Sequence, residues 1–182
     1  MIEVTTTHIS DVVIITPNQI ADDRGSFFES FNLREFREKT GVDPVFVQNN
    51  QSINTQPGVL RGLHYQYHQP QAKLVRCTQG SIFDVAVDLR KSSPTFGQWV
   101  GVELSEENRK QLWIPIGFAH GYITLTERAV CQYQATDYWA KGDEYCLIWD
   151  DKSVDIQWPT VAKLTLSDKD KQGKNFAEIP YF

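Results

Sequence analysis

The chain has 182 residues, of which 41% are hydrophobic and 23% charged, and its formal charge at pH 7 is −5. This composition excludes a disordered or fibrous chain and predicts one globular domain over residues 1–182. The acidic balance excludes a general nucleic-acid binder, so an anionic ligand would need a local cluster of arginine and lysine.

Neither the amino terminus nor any apolar run predicts export or a membrane partner. Residues 1–7 lack the basic and apolar regions of a signal peptide. The longest aliphatic run, residues 12–15, is too short to span a bilayer. The cysteines at 77, 131 and 146 are widely spaced, which is typical of buried thiols in a reducing compartment. We therefore expect a cytoplasmic protein.

Short β-type runs bounded by turn residues follow one another along the chain. The predicted strands cover residues 12–16, 26–31, 45–52, 73–77, 81–89, 98–104, 111–114, 121–125, 129–137 and 146–149. Glycine, proline, asparagine and aspartate separate these runs. Many short strands at this spacing predict an all-β sandwich or barrel rather than alternating strands and helices.

One clear helix interrupts the β pattern. Asn32 is a helix-capping residue, Glu35 follows three residues later, Leu33 and Phe36 share a face, and Gly41 is a stop signal. Further on, residues 167–170 predict either the start of a short helix or a solvated loop.

Alternation in residues 82–89 separates two faces. Phe83, Val85 and Val87 point one way, whereas Asp84 and Asp88 point the other. Alternation alone favours carboxylates that face water. The other interpretation is a polar site inside a barrel.

The histidines are candidate ligands for a metal ion. Residues 115–120 read Pro-x-Gly-x-x-His, which resembles the second motif of cupin barrels. Metal-binding cupins also supply His-x-His, but here His64 and His68 lie four positions apart, about 13 Å along a strand at ~3.3 Å per residue. One zinc ion cannot bridge that distance without a bend. We therefore predict no metal, and no phosphate loop or other cofactor motif is present. Histidine, lysine, tyrosine and aspartate remain for general acid–base chemistry.

Distinctive sequence blocks occur in order along nearly the whole chain. They are DRGSFFE (23–29), QNNQS (48–52), GVLRGLHYQ (58–66), KLVRC (73–77), DVAVDLR (84–90), SPTFG (93–97), WIPIGFAHG (113–121) and LSDKD (166–170). Together they resemble the dTDP-4-dehydrorhamnose 3,5-epimerase family. The resemblance implies a cupin-like jelly-roll barrel with short peripheral helices, which works as a homodimer without metal or cofactor.

The resemblance also implies an isomerase that inverts C3 and C5 of dTDP-4-dehydro-6-deoxy-D-glucose through enolates, in the biosynthesis of dTDP-L-rhamnose for cell-surface polysaccharides. His64 matches the family's base and Asp170 the carboxylate that orients it. Tyr133 matches the acid on the opposite face of the sugar, and Lys73 the cation near the C4 oxygen.

Other family positions imply contacts with the nucleotide or the sugar. They are Arg24, Glu29, Gln48, Asn49, Asn50, Arg61, His120, Glu144 and Lys169. His120 is expected to be held by Asp84. Arginine suits a diphosphate because its planar fork matches two oxygens, which explains how an acidic chain binds an anion.

Several alternatives stay open. The nearest are a single-centre epimerase or a ketoisomerase that acts on a related dTDP-keto-deoxy sugar. A sugar-binding barrel without activity and a metal-dependent cupin oxygenase are more distant. Tyr138-Trp139 stands where the family has paired tyrosines, which keeps an aromatic stacking surface but predicts a different packing of the nucleobase.

Overall fold

The fold was analysed on a computed structural model that describes residues 1–182. It contains 13 β-strands, two α-helices and one 3₁₀ helix. The strands are β1 (Ile2–Thr6), β2 (Val13–Pro17), β3 (Ile20–Asp22), β4 (Gly25–Phe27), β5 (Gln48–Asn54), β6 (Leu60–Gln66), β7 (Lys73–Gln79), β8 (Ser81–Asp88), β9 (Trp99–Ser105), β10 (Gln111–Ile114), β11 (Phe118–Thr124), β12 (Ala129–Ala135) and β13 (Glu144–Cys146). The helices are α1 (Leu33–Thr40), α2 (Asp168–Lys171) and the 3₁₀ helix Phe176–Glu178. None of them is both long enough and apolar enough to cross a membrane.

Two antiparallel sheets form the body of the molecule, which confirms the all-β jelly-roll prediction. The six-stranded sheet has the order β1-β2-β10-β7-β12-β5, and the five-stranded sheet has the order β13-β6-β11-β8-β9. Strands β3 and β4 pair only with each other, as a separate hairpin.

Three apolar clusters hold the layers together. One draws buried residues from both sheets, among them Val75, Leu112 and Ile82. A second covers the other face of the five-stranded sheet with carboxy-terminal residues such as Ile179. The third packs α1 through Phe36 against the six-stranded sheet. Both sheets are therefore covered on two faces over much of their area.

Most predicted strands are present with shifted ends, but three strands were not predicted. These are β1, β3 and β6. Strand β6 carries His64, and its pattern was hidden because Gly62 and the polar residues Arg61 and His64 interrupt its apolar positions. The predicted strand 26–31 is confined to residues 25–27, and the strand predicted at 146–149 lies instead at Glu144–Cys146.

The capping residues predicted the first helix correctly. The Asn32 side chain accepts a hydrogen bond from the backbone N–H of Glu35 at 3.3 Å, and Gly41 adopts the left-handed conformation, with φ +73°. Phe36 is buried, but Leu33 is 40% exposed, so only one of the two apolar residues joins the core. At residues 168–171 the helix forms rather than the loop, with Ser167 as its N-cap.

The interpretation that Asp84 and Asp88 face water is wrong. Both are fully buried because the two faces of β8 are covered, one by the opposite sheet and the other by the carboxy-terminal segment. Asp88 accepts hydrogen bonds from Arg90 and Thr95. Asp84 points to the inner face and bonds His120, which matches the alternative of a polar site inside the barrel.

A close approach between β6 and β11 depends on Gly62. Its φ is +111°, and a Cβ added there would lie 2.6 Å from the carbonyl oxygen of His120 and 2.7 Å from Cα of Gly121. No side chain fits this space without moving the neighbouring backbone. Since His64 pairs with His120 in the same ladder, the spacing of the two histidines depends on this contact.

We expect Gly62→Ala to lower the free energy of unfolding by at least about 2 kcal/mol, because backbone strain and a clash coincide. Gly142→Ala is the matched control: its φ is +98° and nothing lies within 4 Å of an added Cβ. Chemical denaturation of both variants separates the clash from the strain. Equal losses of unfolding free energy in the two variants would show that the close approach of β6 and β11 at Gly62 adds nothing to the backbone strain.

Candidate active site

A cavity of about 350 Å³ opens between residues of both sheets and the short helix α2. Most of its lining residues are polar, and they include residues from β5, β6, β7, β11, β12 and β13. The lining residues are Gln48, Asn50, Ser52, Arg61, His64, Tyr65, Gln66, Gln71, Lys73, His120, Gly121, Tyr122, Tyr133, Trp139, Glu144, Ser167 and Asp170. A polar cavity of this size inside a β-barrel is suited to a small polar ligand.

His64 and Asp170 form a hydrogen-bonded pair in one wall. Nε2 of His64 lies 2.6 Å from Oδ1 of Asp170, and Ser167 donates to the other carboxylate oxygen at 2.7 Å. Burial alone would raise the pKa of Asp170, but the hydrogen bonds from His64 and Ser167 lower it below its ordinary 3.8. The ionised carboxylate therefore fixes the imidazole and leaves Nδ1 without a hydrogen bond, 3.8 Å from Glu144.

Tyr133 and Lys73 lie in the six-stranded sheet, whereas His64 lies in the five-stranded sheet. Lys73 Nζ is 5.7 Å from the centroid of the Tyr133 ring. Burial lowers the pKa of Lys73 from 10.5 to about 8, although Glu144 and Asp84 oppose the shift. Burial raises the pKa of Tyr133 above 10, so its phenol keeps its proton at neutral pH. A proton donor and a cation thus lie in the sheet opposite the His64 imidazole.

His120 adds a second histidine–carboxylate pair deeper in the protein. Its Nε2 lies 2.8 Å from Oδ1 of Asp84, as expected from the sequence. Both residues are buried, and burial lowers the pKa of His120 more than the Asp84 charge raises it. The His120 ring lies 6.2 Å from that of Tyr133, so it contributes to the same cavity.

Most of the predicted site residues meet in this cavity. Those that line it are His64, Lys73, Tyr133, Asp170, Gln48, Asn50, Arg61, His120 and Glu144. Lys169 does not line it, but its ammonium group forms an ion pair with Glu144, which does. The four predicted catalytic side chains are therefore neighbours, although they are far apart in sequence.

Besides Lys169, three predicted ligands lie outside this cavity. Asn49 points to the opposite face of β5, because alternate residues of a strand face opposite sides, and it lines a separate groove beside Arg76. Arg24 is exposed on the β3–β4 hairpin, where it pairs with Asp22, and Glu29 contacts Asn32 near α1. Neither reaches the cavity of its own chain.

Several lining residues were not predicted. Ser52 and Tyr122 both line the cavity and are hydrogen-bonded to each other, with 2.6 Å between their hydroxyl oxygens. Strand alternation from Asn50 and His120 could have found both, since each lies two residues further along the same strand. Ser167 could have been found as a helix N-cap three residues before Asp170.

One group of side chains has the donors for a metal ion. A ring nitrogen of His64, Sγ of Cys146 and a carboxylate oxygen of Asp170 all lie within 4.8 Å of one another. Cys146 is unpaired and partly buried. The prediction of no metal rests on the spacing of His64 and His68, whereas this group pairs His64 with a thiol and a carboxylate that are distant in sequence.

Comparison with known proteins places this arrangement in a family. The family model for dTDP-4-dehydrorhamnose 3,5-epimerase matches residues 6–178. The protein of that name from Pseudomonas aeruginosa is 54% identical over 174 residues, covering 96% of this chain and 96% of its own length.

Two solved structures extend the comparison. The dTDP-6-deoxy-D-glucose-3,5-epimerase of Legionella pneumophila, in complex with dTDP-4-keto-L-rhamnose, has a TM-score of 0.95 and 46% identity, covering 99% of this chain and 95% of that one. ChmJ, a 3'-monoepimerase of Streptomyces bikiniensis in complex with dTDP-quinovose, has a TM-score of 0.87 and 31% identity, covering 94% of this chain and 87% of that one. The chain therefore belongs to the dTDP-4-dehydrorhamnose 3,5-epimerase family.

Proposed function

We propose that this protein inverts C3 and C5 of dTDP-4-dehydro-6-deoxy-D-glucose to give dTDP-4-dehydro-L-rhamnose, a step of dTDP-L-rhamnose biosynthesis. The observation that carries the proposal is the His64–Asp170 pair: its imidazole lies in the five-stranded sheet, whereas Tyr133 and Lys73 lie in the six-stranded sheet on the other side of the cavity. An inversion needs a base and an acid on opposite faces of one carbon, and this arrangement supplies both.

His64 acts as the base in this proposal. Both C3 and C5 are adjacent to the C4 ketone, so removal of either proton gives an enolate. Asp170 accepts the hydrogen bond from Nε2, which leaves the lone pair of Nδ1 to take the proton. The charged imidazolium that results is stabilised by the neighbouring carboxylate.

Lys73 stabilises the negative charge that develops on the C4 oxygen. The residue is 8% exposed, and a cation shielded from water interacts more strongly with an oxyanion than one in solvent. Its lowered pKa of about 8 still leaves most of the ammonium groups protonated at neutral pH.

Tyr133 returns a proton to the opposite face of the enolate. Its raised pKa keeps the phenol protonated, as an acid requires. His120 lies beside it and offers a polar contact to the sugar. Gln48, Asn50, Arg61 and Glu144 are the remaining predicted ligands that line the cavity, and Arg61 is the cation among them that suits a diphosphate.

A single-centre epimerase is the second candidate, because a 3'-monoepimerase shares the fold at 31% identity. Tyr133 supplies the proton donor on the far face that inversion at either carbon requires, so the two candidates are separated by the product rather than by this residue. A ketoisomerase acting on a related sugar would require the same base but a different destination for the proton.

A homodimer completes the site in this proposal. All six residues of strands β3 and β4 are exposed, and Ile20 and Phe27 are 66% and 69% exposed. Exposed apolar residues on an isolated hairpin favour contact with a second copy. Such contact would bring Arg24, which cannot reach its own cavity, to the nucleotide site of the partner.

Three free cysteines agree with a cytoplasmic location.

We expect Lys73→Met to be more stable than the wild type but about 10²- to 10³-fold slower, because an oxyanion donor is lost. A pKa lowered from 10.5 to about 8 corresponds to about 3 kcal/mol of unfavourable burial. The stability difference is full below pH 8 and disappears between about pH 8 and 10.5, because the unfolded chain binds the extra proton there. Denaturation across this pH range measures it, with the exposed Lys152→Met as control. Equal stabilities at pH 7 would contradict the cost of burying Lys73.

We expect His64→Asn to lower deuterium exchange by about 10²- to 10⁴-fold while dTDP affinity is retained, because only the base is lost. Proton NMR of dTDP-4-dehydro-6-deoxy-D-glucose in D₂O follows both carbons, and calorimetry follows dTDP binding. The exposed His68→Asn is the matched control. If the wild-type protein incorporates deuterium at C3 alone, it belongs to the single-centre class. If it incorporates deuterium at neither carbon, the proposal is overturned.

A mixture of Arg24→Ala and His64→Asn chains tests the shared site. If Arg24 serves the partner's cavity, a mixed dimer contains one intact site, and random reassortment restores about a quarter of wild-type activity. If Arg24 serves its own chain, no site in the mixture is intact and activity stays at the level of the separate variants. Activity is measured after unfolding and refolding the chains together.

A further inference from the structure

We propose that His64, Cys146 and Asp170 form an inhibitory site for a thiophilic divalent cation such as Zn²⁺, which blocks the base when occupied. The inference goes beyond the proposed function and rests on it only for the inhibition. Zinc favours this donor set of imidazole nitrogen, thiolate sulfur and carboxylate oxygen.

The sheet register places two of the three donors on the same side. His64 of β6 pairs directly with Cys146 of β13, and directly opposed residues in an antiparallel ladder point to the same face. Asp170 lies over that face from α2, with its Oδ1 2.6 Å from His64 Nε2 and 4.0 Å from Cys146 Sγ. Three separate segments therefore converge on one point.

The distances fit a metal ion after small side-chain movements. With bonds of about 2.0–2.3 Å to zinc and tetrahedral angles, donor atoms lie about 3.4–3.6 Å apart. The donors here lie within 4.8 Å, so each separation needs to change by about 1 Å. Ser167 holds the other oxygen of Asp170 and keeps Oδ1 directed at the site.

The surrounding charges favour a cation over a free thiolate. The Asp170 carboxylate oxygen Oδ1 lies 4.0 Å from Cys146 Sγ, so the thiol keeps its proton until a cation binds. A divalent cation displaces that proton and compensates the carboxylate. Glu144 lies nearby, although Lys169 offsets its charge.

Occupation of this site disables the base through the imidazole. When the metal takes the lone pair of Nε2, the neutral ring carries its one proton on Nδ1. Neither nitrogen can then accept a proton from the sugar, and Asp170 no longer orients the ring. Cys146 itself does not line the cavity, so the thiol contributes to inhibition and not to the reaction.

The proposal is tested by titrating the full chain with Zn²⁺ alone and measuring the heat of binding by calorimetry. We expect one ion per chain and loss of binding in His64→Asn. The affinity of Cys146→Ser should be lower by at least roughly 10- to 100-fold, the loss typical even for residues that only orient a metal ligand. Cys77→Ser is the matched control, because its buried thiol donates to the carbonyl of Gln79 and lacks neighbouring ligands. With Cd²⁺, the ultraviolet cadmium–thiolate band should appear in the wild type and Cys77→Ser and be absent from Cys146→Ser.

A second measurement follows deuterium exchange with Zn²⁺ present. Exchange should fall in the wild type, recover with EDTA and resist zinc in Cys146→Ser, whose uninhibited rate should equal that of the wild type. Absence of saturable binding, or equal affinity in Cys146→Ser, would overturn the metal site. Because binding is measured without substrate, failure of the epimerase assay alone would leave the metal site intact.

Discussion

The pairing of β6 with β11 on one side and β13 on the other determines the geometry of the site. In this ladder His64 lies opposite both His120 and Cys146. The carboxy-terminal segment is attached to the same sheet by backbone bonds from Leu60 to Thr165 and from Ile148 to Lys174. These attachments lie on either side of α2 and bring Asp170 to His64 across 106 residues of sequence.

The polar interior is unfavourable for stability and useful for chemistry. Lys73, Asp84 and His120 are all removed from water, and a buried charge costs free energy unless neighbouring groups compensate it. Asp84 compensates in part by bonding His120 and by its proximity to Lys73. The apolar clusters on both faces of the sheets supply the stability that permits this arrangement.

Local signals in the sequence predicted some elements well, because their causes lie within a few residues. The cap at Asn32 and the stop at Gly41 act within helix α1 and needed no knowledge of the rest of the chain. The burial of Asp84 and Asp88 depends on the segments that cover the two faces of β8, and the alternation of residues within β8 carries no information about those segments. Strand β6 was not predicted for a related reason. Gly62 is required there because the backbone of β11 approaches it closely, and that contact is between segments distant in sequence.

The candidate site shows the same division. No spacing rule joins His64 to Asp170, and only the family resemblance linked them before the structure placed them 2.6 Å apart. The resemblance implied a ligand role for both Asn49 and Asn50, but strand alternation places only Asn50 in the cavity. Arg24 also matched the family, but it lies on the exposed hairpin beside Asp22, outside the cavity of its own chain.

The position of Asp170 beyond all 13 strands has a consequence for the protein during its synthesis. A nascent chain folds from its amino terminus as it leaves the ribosome, so both sheets can assemble before the carboxylate that orients His64 has emerged. The barrel would then exist for a time with His64 in place but without the carboxylate that bonds its imidazole. Activity arrives with the last elements of the chain.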